Sequence, residues 1–97
     1  LEGIEYEQDG ETKELEVPGA FIEIGTVPNS DVTDLVETNE AGQIKVNQKL
    51  ETDTEGLYAA GDVVNWGAQQ LIVSAGQGCD AALHASDHVK EQKSETK

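Results

Sequence analysis

The chain has 97 residues, 36% hydrophobic and 4% aromatic with ten glycines, which is enough for one small domain, or part of one, with a thin core. Its formal charge is −14, from twenty acidic residues against six lysines and no arginine, and this argues against nucleic acid or an anionic membrane as partner. A single cysteine, Cys79, excludes an internal disulfide framework and a dithiol centre and fits a reducing, cytoplasmic compartment, while no run is apolar for long enough to span a membrane and no signal peptide opens the chain.

Residues 1–17 read as a β-hairpin. Ile4 and Tyr6 alternate with acidic residues, Asp9-Gly10 supplies a tight turn, and Leu15 and Val17 resume the alternation, so one face is apolar. Twelve acidic residues fall in the first forty positions, opposed by Lys13 alone. This end is either a solvated acidic surface or a face for a basic partner protein. The apolar run 20–24, interrupted by Glu23 and closed by Gly25, predicts a strand. Pro28-Asn29-Ser30-Asp31 predicts a turn, with Ser30 or Asp31 capping a short helical turn through Val32 and Leu35. After Ala41-Gly42, residues 44–46 alternate as a brief strand, and residues 50–52 pair near it.

Residues 57–60 form a short apolar run between Gly56 and Gly61, the pattern of a buried strand, and Asp62 stands at its carboxyl end. Ligands of open α/β sheets bind at that end of the strands. Gly61, lacking Cβ, lets backbone approach a ligand closely. Asp62 has two readings, a hydrogen-bond acceptor for a ligand or a cap for the next turn. From Gln69 to about Lys90 the positions Ile72, Ala75, Cys79, Ala82 and Ser86, with Leu71 and Leu83 alongside, recur at helical spacing and predict an amphipathic helix with Cys79 in its buried stripe. Its amino terminus at Gln69, Gln70 and Leu71 carries unpaired N–H groups and the positive end of the dipole, both favourable to an anion. Gly76 and Gly78 disfavour a helix interior, so a neighbouring helix or a cofactor is expected close against them. Asp80, His84 and His88 lie one turn apart, as solvent-facing residues or as a metal site. Trp66 is either a loop anchor or an aromatic surface for a ligand. Residues 91–97 hold no apolar side chain and are expected to be a disordered tail.

Three stretches together carry a resemblance. Phe21-Ile-Glu-Ile-Gly-Thr-Val-Pro-Asn29, then Glu51-Thr52 with Gly56-Leu-Tyr-Ala-Ala-Gly-Asp62, then Gln70-Leu-Ile-Val-Ser-Ala-Gly-Gln-Gly78 follow one another as in the carboxy-terminal FAD segment of the thioredoxin reductase family, which includes the flavoprotein subunit of alkyl hydroperoxide reductase. The resemblance covers about residues 1–90. It implies an α/β fold, part of a Rossmann-like FAD/NAD(P)-binding domain, with short strands, one long carboxy-terminal helix and the amino-terminal hairpin. Residues 1–19 would be the tail of the NAD(P)H-binding domain and residues 20–90 the end of the FAD-binding domain.

The resemblance further implies FAD as cofactor, held in part by Gly61, Asp62, Gln69, Gln70 and Leu71, with Gly76 and Gly78 close by and Asp62 bonding a ribitol hydroxyl. The family places an aromatic and then a basic residue before Gln70, where this chain has Ala68 and Gln69. No Gly-x-Gly-x-x-Gly and no Cys-x-x-Cys occurs, so neither the pyrophosphate turn for FAD, nor the NAD(P)H site, nor the dithiol is present, and the 97 residues alone are not expected to be active. The expected partners are the missing amino-terminal part of the same enzyme, a thioredoxin-like or peroxiredoxin substrate and a second copy in a homodimer. The alternatives are a dithiol-lacking relative such as a ferredoxin-NADP reductase, and a non-catalytic packing, dimerisation or protein-interaction module.

Overall fold

Asp9-Gly10 turns the chain as its composition predicts. In the computed structural model, which describes residues 1–95, β1 (Gly3–Gln8) and β2 (Glu11–Glu16) pair antiparallel, from Gly3 opposite Glu16 to Gln8 opposite Glu11. The two loop residues have φ of 53° and 79°, the left-handed pair that a type I′ turn needs. Ile4 stands opposite Leu15 and Tyr6 opposite Lys13 on one face, while Glu5 stands opposite Glu14 on the other. Such a like-charge pair is tolerable only where water screens it. Neither strand packs against the helix.

The middle of the chain is less regular than its sequence predicts. Residues 20–24 form no strand and bend at Ile24, and no backbone hydrogen bond reaches them; Phe21 is 98% exposed and Ile24 96%. A strand exists only where a second backbone satisfies its N–H and C=O groups, and no described residue runs beside this one. The helical turn expected through Val32 and Leu35 is also absent. Asp31 and Val32 form a turn, and the Leu35 N–H donates to Thr33 Oγ1 at 3.2 Å instead. The strands expected at 44–46, 50–52 and 57–60 are reduced to single bridges, Thr38 with Ile44, Ile44 with Val64, and Glu51 with Tyr58.

Two similar loops hold this region. Asn39 Oδ1 accepts from the N–H groups of Ala41 (3.0 Å) and Gln43 (2.9 Å), and Asn47 Oδ1 accepts from those of Lys49 (2.9 Å) and Glu51 (3.1 Å). Each asparagine thus replaces a missing backbone partner inside a tight turn. The second loop drives Leu50 inward, and together with Ile44, Val64 and Ala81 it forms the buried apolar core.

The helix α1 (Leu71–Glu95) closes the chain. It runs past Glu91, where fraying was expected, because glutamate, glutamine and lysine are good helix formers and Lys93 sits favourably in the last turn; residues 96 and 97 of the expected tail lie outside the described residues. Its orientation reverses the expectation. The stripe Ile72, Ala75, Cys79, Ala82 and Ser86 faces outward, and the inward face carries Val73, Ser74, Gln77, Ala81, His84 and His88. Cys79 is accordingly exposed, not a core residue. Tyr58 Oη donates to the His84 carbonyl at 3.4 Å and ties the middle of the helix to the loops. Burial pushes the Tyr58 phenol above its usual range, and the carboxylates of Glu51, Glu91 and Asp87 add to this, so it remains protonated and able to donate at neutral pH.

The result is elongated, 71 × 24 × 20 Å with a radius of gyration of 20.2 Å, where a compact globule of this length has about 12–13 Å. A Cβ added at Gly76 or Gly78 would meet nothing within 4 Å. The close neighbour expected there is not among the described residues. Gly76→Ala with Gly78→Ala is therefore expected to stabilise α1 by about 1 kcal/mol per site, seen as a higher Tm in circular dichroism melts of the 97-residue chain. A lower Tm would reveal a surface pressed against these glycines.

Candidate functional site

The site forms where the Gly61 turn meets the start of α1. After the Tyr58 bridge the chain reverses at Gly61, whose φ of +97° favours glycine, and the Val64 N–H closes the turn on the Gly61 carbonyl at 3.2 Å. Asp62 sits within that turn. Val64 is buried and Asn65 donates to the Ile44 carbonyl at 3.1 Å, so the turn rests on the small core.

The helix begins at Leu71, one or two residues later than expected. Gln70 serves as its cap, with its carbonyl accepting the Ser74 N–H at 3.0 Å. The N–H groups of Leu71, Ile72 and Val73 thus open the helix with no preceding carbonyl to pair with, and the first turn contains no acidic side chain to offset the positive dipole end. The compensating charge comes from the turn. Ser74 Oγ donates to Asp62 Oδ1 at 3.0 Å, and Gln69 Nε2 donates to the Asp62 carbonyl at 3.4 Å. The hydroxyl engages one carboxylate oxygen and leaves the other free to accept.

A cleft of about 370 Å³ lies beside this arrangement, lined by Thr26, Val27, Pro28 and Asn29 from one segment and by Ala60 and Val63 from another. Asp62 and Gln69 also line it. Of the five expected cofactor residues, these two line the cleft. Gly61 is not among the lining residues, and a Cβ there would stand 3.8 Å from Ser74 Oγ. Gln70 caps the helix, and Leu71 is 90% exposed.

Two residues of this region were not anticipated. Ser74 orients Asp62, and Gln77, only 8% exposed, accepts from the Gly61 N–H and donates to the Trp66 carbonyl, both at 2.8 Å. Their signal in the sequence was two hydrogen-bonding residues three apart on one side of an otherwise apolar or glycine-rich helix start. Trp66 is held by its backbone, with its ring half exposed. Asp80 Oδ1 lies 3.9 Å from His84 Nδ1, and no group of metal-ligating side chains forms among the described residues. No described helix is long and apolar enough to cross a membrane.

This geometry accompanies a family likeness over most of the chain. A family model for pyridine nucleotide-disulphide oxidoreductases matches residues 2–87. An alkyl hydroperoxide reductase component of Staphylococcus epidermidis is 40% identical over 90 residues, and its Staphylococcus aureus counterpart 41%. Among solved structures, T. acidophilum thioredoxin reductase superposes with a TM-score of 0.75 at 36% identity over 90% of this chain, and Lactococcus lactis thioredoxin reductase with 0.74 at 35% over 87%. The staphylococcal matches cover 90% of this chain but 18% of the length of those two proteins, and the matched part is 30% and 28% of the two solved chains.

Proposed function

The chain belongs to the pyridine nucleotide-disulphide oxidoreductase family, and from that premise we propose that it forms the carboxy-terminal part of the FAD domain in an enzyme of the thioredoxin reductase type. In this reading residues 1–19 end the NAD(P)H-binding domain, and residues 20–90 contribute one side of the flavin site. The amino-terminal remainder of the enzyme supplies the pyrophosphate turn, the nicotinamide site and the dithiol. A homodimer acting in the cytoplasm on a thioredoxin-like or peroxiredoxin partner accompanies the reading.

The observation that carries it is the Asp62 carboxylate, fixed by Ser74 at the edge of the cleft with one oxygen unused. That arrangement suits a neutral polyol. A sugar-alcohol hydroxyl can donate to the free oxygen, whereas a phosphate would meet a like charge. The N–H groups of Leu71, Ile72 and Val73, with the dipole behind them, suit an electron-rich carbonyl edge. Donor set and acceptor therefore fit the ribitol and ring of FAD. The bound flavin supplies electron transfer between a nicotinamide and a disulfide. The chain's own residues bind and orient it, and none is required to carry a proton.

The test is the visible spectrum of the full-length enzyme purified without added cofactor, beside its Asp62→Ala variant. The unsubstituted enzyme is expected to carry flavin absorption. Loss of one hydrogen bond, about 1 kcal/mol, should weaken FAD retention in the variant roughly fivefold. A full-length enzyme that stays colourless after FAD is added overturns the reading, and equal retention by the variant removes Asp62 from it.

A further inference from the structure

The segment from Gly61 to Gly67 is a loop whose two ends are held by one side chain. Gln77 Oε1 accepts from the Gly61 N–H at 2.8 Å, and Gln77 Nε2 donates to the Trp66 carbonyl at 2.8 Å. Asp62 lies between these points, and Ser74 on the preceding turn of the same helix grips its carboxylate. Gln77 is the one buried polar side chain of the described residues, and both of its hydrogen-bonding atoms are used within this loop. An amide offers a neutral acceptor and a neutral donor from one planar end. We propose that Gln77 is a positioning residue that locks the Asp62 loop to the start of α1, so that the two parts of the flavin site contributed by this chain keep one fixed relation.

The physical consequence is transmission. Asp62 is exposed and held by a single hydroxyl, so its carboxylate stays on the cleft wall only if the backbone on either side of it is fixed. Without the amide, the Gly61 N–H and the Trp66 carbonyl lose their partners together, and burial makes that pair of losses matter more than two exposed ones would. The loop then follows its own fluctuations rather than those of the helix. Gln77 itself lies off the cleft wall and touches the cofactor's place only through the loop.

The inference rests on the flavin reading, and the experiment separates the two. FAD affinity and the visible circular dichroism of the bound flavin are measured for the unsubstituted full-length enzyme, Gln77→Met and Gln77→Glu, with Tm recorded for each. Methionine keeps the length and packing of the side chain but neither hydrogen bond. Glutamate keeps an acceptor for the Gly61 N–H but turns a carboxylate oxygen onto the Trp66 carbonyl, a repulsion at a buried site that methionine does not introduce. The expected order is tight binding by the unsubstituted enzyme, about tenfold weaker FAD binding with an altered flavin dichroism for Gln77→Met, and a loss at least as large for Gln77→Glu. Binding by Gln77→Met equal to the unsubstituted enzyme, or weaker binding with an unaltered flavin dichroism, overturns the clamp while leaving the flavin reading intact. An unsubstituted enzyme that holds no FAD overturns both.

Discussion

Leu50→Ala is expected to destabilise the full-length protein by about 2–5 kcal/mol, the range for truncating a buried leucine, seen as a lower denaturant midpoint. Leu50 is 0% exposed, the one large side chain of the described residues that is fully buried. Its backbone makes the case sharper. The loops at Asn39 and Asn47 use the same hydrogen bonds, and the position occupied by Gly42 in the first, with φ of 84°, is occupied by Leu50 in the second, with φ of 63°. A left-handed conformation costs a branched residue about 1–2 kcal/mol that glycine does not incur. The sequence has accepted that strain to place this side chain in the core. Alanine keeps the strain and loses the burial. Glycine relieves the strain, so Leu50→Gly is expected to cost no more than Leu50→Ala despite removing another carbon. A large excess for glycine would show that the turn is not strained.

The effect reaches the site by a short route. The Leu50 carbonyl accepts the Ala59 N–H at 3.1 Å, and residues 59 and 60 lead directly into the Gly61 turn. Ile44, also in the core, accepts from Asn65 and donates to Val63 on the far side of Asp62. The same small core thus supports both arms of the loop that carries the proposed cofactor contact.

What the sequence made legible divides along the same physical line. The hairpin was readable because Asp9-Gly10 and its flanking alternation are local, and the strands satisfy one another. The helix was readable from its period, despite Gly76 and Gly78 within it. Its orientation was not. Apolar spacing says that a face is buried but not against what, and here Ile72, Cys79 and Leu83 face outward while Ser74 and Gln77 face the chain's own loops. The run 20–24 shows the same limit. It has the composition of a buried strand, but pairing requires a second backbone, and the described residues offer none. Asp62 and Gln69 could be singled out through motif and position, and both line the cleft. Ser74 and Gln77 became visible only with the loop folded over the helix, since their partners lie 12 and 16 residues away.

Gly67→Ala should be the most damaging single-atom addition in the loop. Gly67 has φ of +81°, and a Cβ there would stand 2.6 Å from Gln77 Nε2 and 3.3 Å from Val73 Cγ1. Left-handed alanine costs about 1–2 kcal/mol by itself. The contact adds more, because the amide cannot swing aside without leaving the Trp66 carbonyl and the Gly61 N–H unpaired, a penalty of about 1–3 kcal/mol. A total near 2–5 kcal/mol is expected in denaturant titrations of the full-length protein. Gly61→Ala provides the internal comparison. Its φ is also positive, but its added Cβ meets Ser74 Oγ at an ordinary 3.8 Å, so it should incur the backbone cost alone. The decisive arm is the double substitution with Gln77→Ala, which removes the obstructing amide. If the clash lies with Gln77, Gly67→Ala in that background should fall to about 1–2 kcal/mol. If its cost is unchanged there, the damage comes from Val73 or from the turn itself, and the close approach of Gly67 to the amide has no energetic weight.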